Sequence, residues 1–324
     1  MTIVKQRDTE LVVRAARLYY EDKKSQDEVA KVLGTSRSNV SRMLTLAKEL
    51  GLVEIRVIAP ISRHEALSNQ IQHILGIKEV QVIATEQNDL VLTAVGRAAA
   101  RSVIHSLRPN QTIAISWGRG LEATVHGLEN ENISGLKVTQ LMGSLSSIAT
   151  SVSAEEVGRT LARNLNAQFV PFLAPVVVST AKMRNSLIQE QSIASTLELA
   201  RRADIAIVGV GSKGSSSSEK VLEEFKLPRA EAEQVRNKYA GDIATHFYDI
   251  EGNIVSAAMD RRVIGLTLEE IRNIPKVVGI AAGYEKAEGV IGAAKAGLID
   301  VLIIDLACAN AIVKLISPKM VKSA

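Results

Sequence analysis

The stretch QDEVAKVLGTSRSNVSRMLTL, residues 26–46, decides the fold of the amino-terminal part of the chain. Its apolar residues recur at helical spacing in two segments separated by Gly34, which can adopt the positive φ of a sharp turn. Thr35 is placed to cap the second segment. We predict two helices joined by a tight turn, with facing apolar residues Val29, Ala30 and Leu33 in the first and Val40, Met43, Leu44, Ala47 and Leu50 in the second.

The opposite face of the second predicted helix carries hydroxyls and cations and no acid. Arginine side chains read guanine edges in the DNA major groove, and serine or threonine hydroxyls bind phosphates. The alternative interpretation is an ordinary helical hairpin with a solvated basic face. The pattern favours a helix-turn-helix that binds DNA through Ser36, Arg37, Ser38, Ser41, Arg42, Thr45 and Lys48.

Segments on both sides complete a small DNA-binding domain. Residues 8–21 show the apolar spacing of a helix that can cover the back of the helical pair. Residues 52–58, LVEIRVI, alternate like a strand and predict the wing of a winged helix, with Arg56 within reach of a phosphate. An Ala-Pro break follows this strand. We therefore predict a winged helix-turn-helix DNA-binding domain over 1–59 and an effector and oligomerisation domain over 60–324.

Composition bounds the class of protein. The chain has 324 residues, of which 46% are hydrophobic and 23% charged, as in soluble globular proteins. No apolar run approaches the roughly 18 residues that span a bilayer, and we expect no signal peptide, because residues 1–10 are polar and charged. The single cysteine, Cys308, lies in an apolar stretch and is expected to be buried and reduced. We expect a cytoplasmic protein with no membrane partner.

The net charge of +4 is unevenly distributed along the chain. Residues 1–58 hold eleven Lys or Arg against eight Asp or Glu. Three of the four net positive charges therefore lie in the predicted DNA-binding domain, where they would attract a polyanionic partner.

Beyond Gly76, short apolar runs alternate with amphipathic helical stretches such as 90–107 and 287–296, which is typical of an α/β fold with a parallel sheet. A helical pattern over 63–75 precedes them and could either pair with a second subunit or pack on the large domain. Ligands of such sheets bind at the carboxyl ends of the strands. The predicted strands are 80–84, 112–116, 137–141, 168–171, 205–210, 277–281 and 301–305.

The first candidate loop follows the predicted strand 112–116. Glycines allow backbone N–H groups to approach an anion, and the start of a helix adds positive potential. The loop residues are Ser116, Trp117, Gly118, Arg119 and Gly120, which suit a phosphate. The alternative is a tight strand-to-helix turn whose glycines only relieve steric crowding.

The second candidate loop, residues 209–214, matches G-x-G-x-x-G after a strand and includes Gly209 and Gly211. The dinucleotide motif also requires a helix that opens at the loop and an acid on a second strand about 20 residues on. Here the loop runs into serines 215–218, which we interpret as a mobile loop, and the later acids Glu231 and Glu233 fall in a helical stretch. We therefore predict no NAD and no other cofactor.

A third set of residues combines Asp242 with Gly283 and Lys286. Asp242 can accept hydrogen bonds from sugar hydroxyls, and Lys286, at the start of a helix after a strand, can contact a phosphate. The alternative is that both are solvated loop charges. Together these residues predict a site for a phosphorylated polyol.

Five motifs in order resemble the SorC-type family of bacterial transcriptional regulators over nearly the whole chain. They are ARLYYEDKKSQDEVAKVLGTSRSNVSRML, ISWGRGLEAT, ADIAIVGVGS, GDIATHFYDIEGN and GIAAGYEKAEGVIGAAKAGLIDVLIID. The resemblance implies a winged helix-turn-helix followed by a Rossmann-like effector domain related to sugar-phosphate isomerases, glucosamine-6-phosphate deaminase and CoA transferases. It also implies homodimers or homotetramers that bind operator DNA, and a phosphorylated sugar effector bound by the loops at 116–120, 209–211, Asp242, Gly283 and Lys286.

Catalysis and metal binding are weighed against this interpretation. His105 and His126 lie on helical stretches, and His246 lies in the apolar run THFYDI, where a core histidine is the commoner outcome. A Schiff base on Lys286 is chemically conceivable. We nevertheless expect no catalytic residues and, from the spacing of histidines and cysteine, no metal site. The alternatives are a sugar-phosphate isomerase or deaminase with an accessory DNA-binding head, and an architectural DNA-binding protein.

Overall fold

The computed structural model describes residues 2–53, 61–85, 90–128, 130–145 and 153–320. The chain divides into two compact units, Met1–Ala59 and Pro60–Ala324. In the described part of the chain, no helix combines the length and the apolar character needed to cross a membrane.

The first unit is built from helices α1 (Thr2–Ala16), α2 (Gln26–Leu33) and α3 (Arg37–Glu49), with a π-helical turn, Arg17–Glu21, after α1. Gly34 joins α2 to α3 with φ of +63°, so the predicted tight turn between two helices is present. A small core forms where the apolar faces of the three helices meet. Its buried members are Val12, Ala15, Ala16, Val29, Ala30, Val40, Leu44 and Ala47.

Two details of this unit differ from the sequence prediction. Ser36, not Thr35, caps α3: the Oγ of Ser36 accepts a hydrogen bond from the backbone N–H of Asn39 at 3.2 Å. Leu50 does not join the apolar face, because it follows the end of α3 and is 53% exposed. The predicted wing, with Arg56, lies outside the described residues.

The second unit contains an eight-stranded sheet of order β1-β2-β10-β9-β6-β3-β4-β5, parallel throughout except for the antiparallel edge pair β1 and β2. A separate antiparallel hairpin contains β7 (Gly241–Ile243) and β8 (His246–Tyr248). The sheet strands are β1 (Ser62–Arg63), β2 (Glu79–Ala84), β3 (Thr112–Ile115), β4 (Lys137–Gln140), β5 (Gln168–Val170), β6 (Ile205–Gly209), β9 (Lys276–Ala281) and β10 (Val301–Asp305). All seven predicted strands are confirmed, as is the α/β class.

Helices cover both faces of the sheet, which explains why its central strands are apolar without alternation. On β3, Ala114 packs into the core on one face, whereas Ile113 and Ile115 pack into the core on the other. The helices are α4 (Glu65–Leu75), α5 (Val91–Ser106), α6 (Arg119–His126), α7 (Ala154–Asn164), α8 (Ala181–Leu187), α9 (Gln191–Arg201), α10 (Ser216–Glu224), α11 (Arg229–Lys238), α12 (Ala257–Asp260), α13 (Leu268–Arg272), α14 (Ala287–Lys295) and α15 (Leu306–Met320).

Two predictions in this unit are wrong. The sequence predicts a helical pattern from residue 63 onward, but Arg63 lies in β1 opposite Ile83, and its Nη2 donates to the carbonyl oxygen of Val80 at 3.0 Å. The serines at 215–218 do not form a loop. The side chain of Ser215 caps α10, which begins at Ser216, so a helix does open after the glycine-rich loop.

Candidate functional site

A cavity of about 440 Å³ lies at the carboxyl ends of four adjacent strands, β10, β9, β6 and β3. These strands are parallel, so the loops that follow them converge on one edge of the sheet. The described residues that line the cavity are Val91, Leu92, Ser116, Trp117, Gly118, Arg119, Gly120, Gly209, Val210, Gly211, Ser217, Asp242, Ala244, Ile280, Ala281, Ala282, Gly283, Lys286, Asp305 and Ala307. Every effector residue predicted from the sequence is among them.

The loop after β3 presents the start of α6 to this cavity. Gly118 has φ of +129°, a conformation that favours glycine, and precedes the helix without a capping side chain. The N–H groups of Leu121 and Glu122 donate to the carbonyl oxygen of Gly118 at 3.0 and 2.9 Å. The N–H groups of Arg119 and Gly120 find no acceptor among the described residues, so the loop offers two backbone donors and an exposed guanidinium.

A hydrogen bond connects the loops after β3 and β6. The buried Oγ of Ser116 accepts a hydrogen bond from the backbone N–H of Gly209 at 3.3 Å. A Cβ on Gly209 would lie 2.9 Å from Cδ1 of Leu121 and 3.3 Å from the carbonyl oxygen of Trp117. Gly209 thus serves close packing of the two loops, and Ser116 holds them in register.

Asp242 lies on β7 and is 8% exposed. The hydroxyl of Ser218 donates to its Oδ1, and a Cβ on Gly211 would lie only 1.8 Å from the same oxygen. Burial raises the pKa of Asp242, whereas the Ser218 hydrogen bond and the nearby Lys286 ammonium oppose that rise. The carboxyl is therefore held in one orientation, in close contact with the glycine-rich loop after β6.

Lys286 ends a 3-10 turn, Tyr284–Lys286, that follows Gly283 after β9. Burial lowers the pKa of Lys286, and the negative charges of Asp242 and Glu285 counteract this effect. The Arg119 guanidinium also lowers the pKa of Lys286, because the two positive charges in the described cavity lining repel each other. Two neighbouring cations beside free backbone donors can bind an anion.

Two residues of the described cavity lining that carry polar side chains, Ser217 and Asp305, were missed by the sequence prediction. Ser217 belongs to the serine run 215–218, for which the sequence predicts a mobile loop, and the hydroxyl of its neighbour Ser218 donates a hydrogen bond to Asp242. Asp305 is the last residue of β10, and its Oδ1 accepts from the N–H groups of Gly283 and Cys308 at 2.9 and 3.2 Å. Its place at a strand end was the signal in the sequence that could have identified it.

His246 is a core residue, as predicted. It is 2% exposed, its Nδ1 lies against Oδ1 of Asp260, and its Nε2 is 2.9 Å from the carbonyl oxygen of Leu266. His105 and His126 lie on α5 and α6, also as predicted. Among the described residues, no group of three or more His, Cys, Asp or Glu side chains could hold a metal ion.

In the first unit, the predicted DNA-contacting residues lie on one exposed surface of α3 and its cap. Arg37 is 4.0 Å from Asp27 of α2, and both side chains are largely exposed, so this pair leaves the guanidinium accessible. The Oγ1 of Thr45 donates to the carbonyl oxygen of Ser41 at 3.1 Å. The exposed residues are Ser36, Arg37, Ser38, Ser41, Arg42, Thr45 and Lys48.

Comparison with known proteins places the chain in a family. The family model Sugar-bind, described as "Putative sugar-binding domain", matches residues 59–314. The crystal structure of the full-length sorbitol operon regulator SorC from Klebsiella pneumoniae is similar with a TM-score of 0.70 and 27% identity, covering 94% of this chain and 98% of that chain. The chain belongs to the SorC-type family of sugar-binding transcriptional regulators.

Curated relatives of this SorC-type regulator agree with that placement. The deoxyribonucleoside regulator of Bacillus subtilis (strain 168) is 29% identical over 311 residues, which cover 94% of this chain and 97% of the relative. The transcriptional regulator LsrR of Enterobacter sp. (strain 638) is 27% identical over 311 residues, covering 95% and 94%. These matches extend over both units of the SorC-type chain.

Proposed function

We propose that the chain is a DNA-binding transcriptional regulator whose operator affinity is controlled by a phosphorylated sugar bound in the cavity. One observation carries this proposal. The uncapped start of α6, two cations and a buried carboxylate line a single cavity large enough for a small sugar phosphate. This combination of anion-binding and hydroxyl-binding groups suits a ligand that has both a phosphate and hydroxyls.

The phosphate binds at the loop after β3. The backbone N–H groups of Arg119 and Gly120, at the positive amino-terminal end of α6, donate hydrogen bonds to the phosphate. The side chains of Arg119 and Lys286 supply positive charge that neutralises it. The mutual repulsion of these cations is relieved when a dianion lies between them. The fixed loop geometry set by Ser116 and Gly209 means that little reorganisation is needed on binding.

The sugar hydroxyls bind on the side of Asp242. Ser218 occupies Oδ1 of this carboxylate and leaves Oδ2 as the acceptor available to a ligand. Lys286 lines the same cavity as Asp242 and Arg119 and interacts electrostatically with both, so its ammonium can contact the phosphate. The fold of this domain is the Rossmann-like fold shared with sugar-phosphate isomerases, deaminases and CoA transferases, as the resemblance implies.

The first unit binds operator DNA as a winged helix-turn-helix, with α3 in the major groove. The exposed arginines and hydroxyls of α3 support this assignment, as does the naming of the relatives as regulators. One recognition helix reads only a few base pairs, so operator specificity requires a second copy at a fixed distance. The regulator therefore acts as a homodimer or homotetramer.

Control of DNA binding follows from linkage. An effector that binds one arrangement of the oligomer more tightly than another shifts the population toward it. The spacing of the recognition helices then changes, and with it the ability to engage two half-sites. Because binding free energies are reciprocal, operator DNA alters effector affinity by the same factor.

A ligand screen with the full chain tests the proposal. Phosphorylated sugars at millimolar concentration should raise the unfolding temperature, since a ligand that binds only the folded state stabilises it by mass action. The unphosphorylated sugars serve as the matched controls. A phosphorylated sugar that raises the unfolding temperature should also change the protein's affinity for operator DNA, measured by fluorescence anisotropy. Equal shifts from phosphorylated and unphosphorylated sugars would contradict the phosphate assignment.

A sugar-phosphate isomerase or deaminase is the second candidate. The lowered pKa of Lys286 in a cavity favours it, since such lysines form Schiff bases with carbonyl substrates. Against it, both ring nitrogens of the buried His246 are bonded inside the core. Turnover of ribose 5-phosphate or glucosamine 6-phosphate by the purified chain would favour the enzyme, and we expect none.

A further inference from the structure

The β7–β8 hairpin presents Asp242 and Ala244 to the cavity through a turn that its own sequence does not favour. The two turn residues, Ala244 and Thr245, have φ of +48° and +78°, a conformation that usually requires glycine or asparagine. Thr245 is β-branched and 1% exposed, and its Oγ1 is buried without a hydrogen-bond partner. Contacts from outside the turn must therefore hold the hairpin in place.

His246 supplies such contacts at the start of β8. It lies opposite Ile243 in the hairpin and is 2% exposed. Its Nδ1 lies within hydrogen-bond distance of Oδ1 of Asp260, at the end of α12, and its Nε2 is 2.9 Å from the carbonyl oxygen of Leu266. One ring thus connects the hairpin to two segments that follow it in the sequence.

The hydrogen-bond partners of the His246 ring determine its charge. A carbonyl oxygen only accepts hydrogen bonds, so Nε2 carries a hydrogen, and an ionised carboxylate also only accepts, so Nδ1 carries another. A neutral imidazole has only one such hydrogen. The Asp260 side chain is 24% exposed, so water can stabilise its negative charge. Both bonds are therefore made by a positively charged imidazolium that is paired with the Asp260 carboxylate.

The positive charge of His246 also acts on Asp242. Burial raises the pKa of Asp242, and the charge of His246 is among the effects that lower it, after the Ser218 hydrogen bond and the Lys286 ammonium. His246 is not part of the described cavity lining, so a ligand does not displace its contacts. The imidazolium therefore holds the hairpin and favours the ionised form of Asp242.

The other charged groups of the elements around His246 do not compete for Asp260. Arg262, two residues after α12, donates to the carbonyl oxygens of Val178 and Phe225 at 2.7 Å each. The remaining charged residues of α14, which packs on the hairpin, and of the segment directly after α12 are exposed to water: Arg261, Glu288 and Lys295.

We infer that His246 and Asp260 form an imidazolium–carboxylate pair at neutral pH and that this pair positions Asp242 for the hydroxyls of the effector. His246 is a positioning residue, because it acts on the ligand only through Asp242. The positioning role rests on the proposed function, whereas the charge of the ring can be measured without any effector.

NMR of the full chain with ¹⁵N-labelled histidine measures that charge. Correlations from the carbon-bound ring hydrogens to both ring nitrogens report whether each nitrogen carries a hydrogen. We expect both nitrogens of His246 to carry one at neutral pH, and a neutral His246 ring would overturn the inference. The other four histidines are exposed, so each can be replaced singly by glutamine to assign the signals by elimination: His64, His73, His105 and His126.

The variant Asp260→Asn keeps a hydrogen bond to the ring and removes the negative charge. Its amide nitrogen can donate to Nδ1, which leaves a neutral His246 with its hydrogen on Nε2. We expect that NMR signature, and a fall of about fivefold or more in affinity for ribose 5-phosphate and fructose 6-phosphate, because Asp242 loses a charge that favours its ionised form. Affinity for inorganic phosphate, which binds at the start of α6, should not change. Calorimetric titration measures all three compounds.

Two results with Asp260→Asn would overturn the positioning role. One is unchanged affinity for both sugar phosphates in a variant whose His246 ring is neutral. The other is an equal loss for the sugar phosphates and for inorganic phosphate, which would place the effect outside Asp242. If Asp260→Asn does not fold, the spectrum of the wild type decides the inference.

Asp204→Asn is the matched control, since it removes the same charge. Oδ2 of Asp204 accepts a backbone N–H, from Thr112 at 2.8 Å, at the amino end of β3, away from the cavity. This variant should keep the His246 imidazolium and the wild-type affinities, and a loss as large as that of Asp260→Asn would overturn the positioning role. Absence of binding of all three compounds to the wild type would contradict the proposed function, whereas a neutral His246 ring would contradict the inference alone.

Discussion

Ser218 donates a hydrogen bond to Oδ1 of Asp242 and so connects α10 to β7 across 24 residues of sequence. Both residues are buried, at 1% and 8% exposure. Burial raises the pKa of Asp242, and the Ser218 hydrogen bond is the largest of the effects that lower it. The hydroxyl therefore stabilises the ionised carboxylate in the place where the proposed effector needs it.

Replacing Ser218 with alanine should destabilise the protein by about 1–3 kcal/mol, because a buried acceptor loses its donor. The folded-state pKa of Asp242 already lies above its ordinary value of 3.8, so its ionisation costs stability as pH rises. Without Ser218 that pKa rises further. The loss in free energy of unfolding should consequently be larger at neutral pH than below 3.8, where Asp242 is neutral in both states.

Urea unfolding at several pH values measures this effect, with Ser216→Ala as the control. Ser216 is exposed on the same helix, and its loss should change stability by less than about 0.5 kcal/mol. A Ser218→Ala effect that is independent of pH would contradict the link to Asp242.

Gly211→Ala should impair the cavity directly. The new Cβ would lie 1.8 Å from Oδ1 of Asp242 and 2.7 Å from Oγ of Ser218, so the carboxylate must move. We expect effector affinity, measured by calorimetry, to fall at least tenfold, about 1.4 kcal/mol. Gly214→Ala is the comparison: its Cβ meets nothing within 4 Å, but its φ is +75°. That variant should lose about 1–2 kcal/mol of stability and retain effector affinity.

Lys286→Ala should abolish the response of operator binding to effector while operator affinity without effector stays at the wild-type level. The change removes one of the two cations in the described lining of the cavity, the other being Arg119. Lys295→Ala is the matched control, since Lys295 ends α14 and pairs with Glu251 at 2.6 Å. A response of Lys286→Ala at the wild-type effector concentration would refute the role of Lys286.

Effector affinity should also decrease at alkaline pH. Burial lowers the pKa of Lys286 below its ordinary value of 10.5, and a phosphate binds the protonated form. Affinity should therefore fall as pH rises through that lowered pKa. Lys286→Arg keeps its charge at every accessible pH, so the alkaline loss should be much smaller in this variant. Calorimetry between neutral pH and about pH 10 compares the effector affinity of the wild type with that of Lys286→Arg. Identical pH profiles would contradict the assignment of Lys286 to the phosphate.

Arg37→Ala should weaken operator binding by about 1–3 kcal/mol and leave effector binding unchanged, because Arg37 is assigned to a base edge. Arg229→Ala removes an equal charge from an arginine of the second unit that is 92% exposed and paired with Glu233. Its operator affinity should stay at the wild-type level. Footprints of Arg37→Ala identical to those of the wild type would contradict the assignment of Arg37.

Local patterns predicted most of the elements. The seven strand runs and the helical pair around Gly34 follow from apolar spacing, and the structure confirms them. The sequence prediction was wrong where a side-chain hydrogen bond decides which residue caps a helix or whether a segment forms a helix or a loop. Ser36 and Thr35 are both capping residues, and only the observed bond from the Asn39 N–H distinguishes them. The run of four serines at 215–218 is typical of a loop, but the side chain of Ser215 caps the helix α10 that begins at Ser216.

The sequence by itself determined the fold class and the glycine-bearing loops, because strand and helix periodicity and glycine conformation are local properties. Only the tertiary structure decided which residues share the cavity. Strand order is non-local. β10 and β3 are nearly 200 residues apart in sequence, yet only β9 and β6 separate them in the sheet, so the carboxyl ends of all four strands lie close together. The hydrogen bonds of Asp242 with Ser218 and of Asp305 with Gly283 follow from that order.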